Sequence, residues 1–147
     1  MTQSSRSWPD RLVSLAVTLL FLMVWGFTGL GKVVDGYPEW FGDVFGKTLL
    51  ATVPGLRASY WLLALVETVA AVLCTLSLLR QEFLGGRPAR FLNAALVLGL
   101  FNFILLGFGK WLTKDFNGAF QLFVYFSGTL VAWKTVRALE AGSGGRG

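Results

Sequence analysis

The 147-residue chain contains no histidine and one cysteine, Cys74, and these two scarcities close off much catalytic chemistry before any fold is considered. A lone cysteine forms no intramolecular disulfide and no Cys-x-x-Cys redox pair. Without histidine the chain has no His-ligated haem, no His or Cys zinc site and no Ser-His-Asp triad of its own. Any redox centre has to come from a bound cofactor or a partner, and no metal site is expected. Charge is scarce as well: charged residues are 14% of the chain and hydrophobic ones 54%, whereas a soluble domain carries about 25% charge. These proportions describe a membrane protein. Period-2 alternation is also missing, which leaves helices rather than a barrel to pair every backbone polar group inside lipid.

Uncharged or nearly uncharged runs cover residues 12–31, 58–79, 91–109 and 116–133, each near the roughly 20 residues a helix needs to cross hydrocarbon. The expected architecture is all-α, an integral-membrane four-helix bundle forming one domain over 1–147, with spans at about 12–33, 58–79, 91–109 and 116–135. The first run is too long for a secretory signal and lacks an Ala-x-Ala-like cleavage site, so it reads as a retained span.

Between the first two runs the chain is too polar to span and too aromatic for a free loop. Pro38 suits a first helical position, and Trp40, Phe41, Val44, Phe45 and Leu49 recur at helical spacing against Glu39, Asp43 and Lys47. This pattern predicts an outer interfacial amphipathic helix over about 38–51, acting as a membrane-surface anchor or as a lid over a site between the spans. Residues 84–90 read as a short cytoplasmic turn and 141–147 as a disordered tail.

The net charge of +5 is spread over all the loops rather than gathered in a stripe, which argues against nucleic acid. It speaks to orientation instead. Arg6, Arg11, Arg80, Arg87, Arg90, Lys134, Arg137 and Arg146 fall on one side of the spans, and Lys32, Lys47, Arg57, Lys110 and Lys114 on the other. The positive-inside rule then places both termini in the cytoplasm.

Glu67 is the only ionisable side chain deep inside any apolar run, nine residues from Ala58 and twelve from Leu79. A carboxylate near a bilayer centre costs about 3 kcal/mol, so it marks a functional site with a partner to be found. Ala70, Ala71, Cys74 and Ser77 follow it on one helical face of small residues, which turns Glu67 into the bundle. Comparable stripes run through Ser14, Thr18, Phe21, Trp25, Thr28 and Lys32, through Ala95, Gly99, Asn102, Leu106 and Gly109, and through Asn117, Gln121 and Tyr125. At about 1.5 Å per residue, Glu67, Asn102 and Tyr125 fall near mid-depth, with Lys32 and Lys110 at the outer interface. The prediction is an interior polar pocket opening outward, with Glu67 as its floor and candidate proton relay. Trp25, Thr28, Lys32, Asn102, Gln121, Tyr125 and Lys110 are its candidate lining. The alternative is helix-to-helix hydrogen bonding with no ligand, contributing about 0.6–2 kcal/mol per group. In that case Glu67 is either neutral and bonded to Asn102 or Gln121, or ionised and reached by Lys32.

Gly29-Leu30-Gly31-Lys32 closes the first run and Gly107-Phe108-Gly109-Lys110 the third. The match is a weak internal repeat or the ordinary helix-end pairing of small residues with a snorkelling lysine.

Arg11 before the first run, Gly29-Leu30-Gly31-Lys32 after it, the aromatic and acidic loop with Trp40 and Phe41, and Glu67 in the second run together resemble the DoxX-like family of small four-helix bacterial membrane proteins. The likeness covers mainly the first half. It implies a multi-pass protein of the bacterial inner membrane, serving redox systems such as thiosulfate or thiol oxidation coupled to quinone beside a membrane or soluble redox partner. The cysteine pair of related groups has no counterpart here. Two further functions stay open: a non-catalytic accessory or assembly subunit of a larger membrane complex, and a small-molecule or anion binder or transporter drawing on Lys32 and Lys110.

Overall fold

The computed structural model describes residues 7–85 and 87–144, which form five α-helices and no strand. Three of them, α1 (Trp8–Asp35), α3 (Leu56–Leu79) and α4 (Arg90–Leu112), are long and apolar enough to cross a membrane. The fourth long helix, α5 (Phe116–Gly144), has 29 residues, and the short α2 (Glu39–Phe45) lies between α1 and α3. α1 lies along α3, α3 along α4 and α4 along α5, while α5 touches α1 more lightly.

The inward stripes follow helical spacing. α1 buries Ser14, Thr18, Phe21, Trp25 and Gly29, and α3 buries Ala64, Glu67, Ala70, Ala71, Cys74 and Ser77. Small side chains on these faces bring the backbones together. Gly29 marks the closest approach, since a methyl group there would lie 2.8 Å from the Thr68 amide nitrogen and 3.1 Å from Glu67 Cβ. α4 contributes Leu92, Ala95, Leu96, Gly99, Asn102 and Phe103 to the same core.

Helix ends are set by local chemistry. α1 stops where Gly36, at φ 74°, donates its N–H to the Lys32 carbonyl, a left-handed position that glycine reaches without a Cβ penalty. α4 has no side-chain cap at its own N-cap residue, Ala89, and its first amides are satisfied from elsewhere. Glu82, in a 3-10 turn after α3, is 3% exposed and accepts from Phe91 N and Leu92 N, both at 3.1 Å. Glu140, on α5, accepts from Ala89 N at 2.6 Å and from Asn93 Nδ2 at 2.9 Å. Two carboxylates at a helix N-terminus also meet the positive end of its dipole. Glu82→Ala is therefore expected to destabilise the protein by about 2 kcal/mol, with Glu82→Gln recovering part of the loss. Thermal melts in detergent check the order.

Two boundaries differ from the sequence pattern. The single amphipathic helix expected over about 38–51 is instead α2, ending at Phe45, followed by a turn and a separate 3-10 helix at Leu49–Ala51. The break falls at Gly46-Lys47-Thr48, where Thr48 takes an extended conformation and its hydroxyl bonds the Phe45 carbonyl at 2.8 Å, a local competitor to helix continuation. At the other end, α5 runs on to Gly144 rather than giving way to a tail from 141. Its Glu140 bond to the start of α4 anchors that last stretch. Residues 145–147 of the expected tail lie outside the described residues.

Candidate functional site

α2 closes over one end of α1, α3 and α4 and leaves a cleft of about 750 Å³. Aromatic contacts hold this cover. Phe41, 5% exposed, sits between Tyr60 of α3 and Phe45, with ring centroids 5.4 and 4.6 Å away, and Tyr37 meets the Tyr60 ring at 5.4 Å. The Tyr60 hydroxyl donates to the Gly36 carbonyl at 2.7 Å, tying the end of α1 to the start of α3. From α4, Gly109 faces Phe45, and a methyl group there would meet that ring at 3.5 Å, an ordinary contact. Phe45, Tyr60, Leu63, Leu106 and Phe108 make the wall mainly apolar, and Thr28, Lys32 and Lys110 supply polar groups.

Lys32 lines this cleft and also reaches the buried carboxylate beneath it. Its Nζ lies 2.7 Å from Glu67 Oε2, with Glu67 1% and Lys32 25% exposed. Gly29 explains why the pair forms: by letting α1 touch the α3 backbone at Glu67 and Thr68, it sets Lys32, one turn further on, within reach of the carboxylate. Of the alternatives the sequence left open, the structure holds the ion-paired arrangement. Desolvating two charges is costly, and the cost is offset only by close geometry such as this.

Lys110, the second expected cation at the mouth, is already paired. Its Nζ lies 2.7 Å from Asp115 Oδ2 across the α4–α5 turn, and Asp115 Oδ1 accepts from Gly118 N at 2.9 Å. A methyl group at Gly118 would come within 2.6 Å of that carboxylate, so the Asp115 side chain would have to shift to admit one. The Lys110 hydrogen bond first, then the Gly118 amide, hold the Asp115 carboxyl below its ordinary value of 3.8. A lowered folded-state pKa gives stability that is present above the ordinary value and lost as pH falls through the folded one. The α4–α5 turn is thus expected to loosen only below about pH 4, and Asp115→Asn to remove that acid dependence. Amide exchange at Gly118 and Ala119 against pH is the check.

The two Gly-x-Gly-Lys segments are used differently. Gly29 is the packed glycine of the first and Gly31 has open space, whereas Gly107 has open space and Gly109 is the packed one of the second. Lys32 crosses to another helix and Lys110 bonds locally. Shared residues do not carry shared roles here.

The remaining sequence candidates divide. Thr28 lines the cleft while its hydroxyl donates to Val24 O within α1. Trp25 and Asn102 are each 1% exposed and lie one turn below cleft residues on their own helices. Gln121 and Tyr125 do not line the cleft; both are exposed, Tyr125 at 54%, though its ring meets that of Phe103 at 6.0 Å. The inward stripe of α5 is Leu122, Phe126, Thr129, Trp133 and Val136, and Gln121 and Tyr125 sit one residue, about 100° of helix, away from it. Tyr60 and the α2 aromatics complete the cleft without having been singled out by polarity. Their aromatic clustering after the Gly36 turn was the available signal. Among the described residues there is no group of three His, Cys, Asp or Glu that could hold a metal ion. No family model, no curated protein and no solved structure matches this chain.

Proposed function

We propose that the chain is a four-span inner-membrane protein of DoxX-like type whose outer cleft takes a quinone or a similar amphiphile, as the membrane component of a redox system. One observation carries this reading: an aromatic, mainly apolar cleft with the Lys32–Glu67 pair directly beneath it. The donor set fits such a ligand. Aromatic faces of Phe41, Phe45 and Tyr60 suit a flat ring, apolar walls suit its tail, and the Lys32 ammonium suits an accepting carbonyl oxygen. A bound quinone would supply two-electron, two-proton chemistry. In that setting Lys32 holds a proton at Nζ beside the ligand oxygen, and Glu67 stands behind it as the group through which that proton is exchanged. A single buried cysteine makes no dithiol, so the electrons are assigned to a redox partner protein.

The membrane arrangement is part of the proposal. Residues 116–133 contain no Asp, Glu, Lys or Arg, which supports α5 as the fourth span. Trp40, 58% exposed, and Leu49, 59% exposed, support α2 and its 3-10 turn resting in the headgroup layer. The lysine and arginine bias supports cytoplasmic termini and a cleft on the outer side. An anion site at the mouth is less favoured, because both lysines already have carboxylate partners.

Protein purified in mild detergent is expected to carry extractable quinone, or to melt several degrees higher with a short-chain quinone added. Lys32→Met is expected to abolish the shift. Absence of both co-purified quinone and shift removes this function.

A second reading, an accessory subunit of a larger complex, is favoured by one observation. Gln121 faces outward from the uncharged first half of α5, where hydrocarbon offers an amide no partner. Native purification that yields the chain alone counts against it.

A further inference from the structure

Beneath the cleft, two polar side chains are buried with nothing to bond. Trp25 Nε1 on α1 and both polar atoms of the Asn102 amide on α4 lack any hydrogen-bond partner, and each residue is 1% exposed. They belong to one place. The Trp25 ring lies over Gly99, where a methyl group would meet Cζ2 at 3.2 Å and Nε1 at 3.4 Å, and its centroid is 4.9 Å from the Phe103 ring. Asn102 occupies the same α4 face, one turn from Gly99 and next to Phe103. Three unmet groups in a dry helical interface are costly, since each forfeits its full desolvation penalty.

We infer that Trp25 and Asn102 form a binding site for a single hydroxyl-type oxygen. The hydrogen-bond count selects the ligand. The indole N–H and the amide NH2 donate, and the amide oxygen accepts. A ligand that accepts two hydrogen bonds and donates one satisfies all three groups, which a water or an alcohol-type hydroxyl does and a carbonyl does not. About three bonds is also what a buried water makes in protein interiors. Two sources share this chemistry: a structural water, or the hydroxyl of an amphiphile reaching down from the cleft. Thr28, three residues from Trp25, and Leu105 and Leu106, three and four from Asn102, line that cleft, so the site lies one helical turn below its wall. The amphiphile source rests on the function proposed above; the water source does not. With a quinone-type ligand, the site favours the reduced, hydroxyl-bearing form over the oxidised one.

The test is the indole N–H resonance of Trp25 in 15N-tryptophan-labelled protein, assigned by its loss in Trp25→Phe, together with the melting temperature of Asn102→Leu. The expected result is a hydrogen-bonded, downfield indole proton and a melting temperature lowered by about 3–8 °C, because the substitution strands the ligand and the indole. A nuclear Overhauser contact from that proton to water assigns the water source and survives failure of the cleft reading. A contact to protons of added quinol assigns the amphiphile. An upfield, unbonded indole proton, or a raised melting temperature in Asn102→Leu, overturns the site, since removing two unsatisfied atoms from an empty interface stabilises it.

Discussion

Lys32→Met is expected to destabilise the protein by about 3–5 kcal/mol, because it leaves a carboxylate that is 1% exposed without its cation. The reciprocal change, Glu67→Leu, is expected to cost less. Lys32 is 25% exposed and can turn its ammonium toward the cleft mouth once the carboxylate is gone. The double variant Lys32→Met/Glu67→Leu is the informative one. Replacing both partners by apolar groups leaves no stranded charge, so it is expected to recover most of the loss, and the coupling in the double-mutant cycle should exceed about 2 kcal/mol. Stability recovered without quinone response would separate the two roles of the pair: the fold needs charges balanced, and the cleft needs the ammonium itself. Chemical or thermal unfolding of the four proteins in one detergent gives the cycle.

The second large effect is steric. At Gly29 a methyl group comes within 2.8 Å of the Thr68 backbone nitrogen, and backbone cannot move aside as a flexible side chain does. Gly29→Ala is expected to cost about 1–3 kcal/mol and Gly29→Leu more, by forcing α1 off α3. The displacement also withdraws Lys32 from Glu67, so quinone response should fall together with stability. Gly107, the counterpart of Gly29 in the second Gly-x-Gly-Lys segment, has open space around it. Gly107→Ala is expected to be neutral or to stabilise by up to about 1 kcal/mol through helix propensity. Opposite signs at two positions of one motif would settle that the segments differ in function; equal losses would restore the repeat.

The long helices were legible because uncharged runs of about 20 residues have few other uses. The Glu67 side of the site was legible for a related reason: one carboxylate in an apolar run, followed by small residues at helical spacing, leaves a single inward face. Lys32 came with it, since its stripe on α1 ends at the outer interface, from where a long lysine side chain can reach down to that carboxylate. α5 was harder to read. Apolar and aromatic residues surround it on all sides, so spacing defines several stripes and does not say which one faces the core. The polar stripe of Gln121 and Tyr125 looked inward by chemistry, but packing against α4 chose the neighbouring stripe of Leu122, Phe126 and Thr129. Glu82 and Glu140 were hidden for another reason. In sequence they are ordinary loop and helix-end charges, and only the fold brings them to the uncapped start of α4. The cleft itself depends on where α2 breaks and on how Phe41 and Phe45 fold back over Tyr60. These are long-range contacts that periodicity does not encode.

The central claim is that the cleft under α2, with Lys32 at its base, is a quinone-type site. A photoreactive short-chain quinone analogue, irradiated with the reconstituted protein and mapped by mass spectrometry, tests it directly. The account predicts adducts confined to residues 25–63 and 102–113, competed by excess unlabelled quinone and lost in Lys32→Met. Labelling that falls mainly on α5, or that excess quinone does not compete, would contradict it.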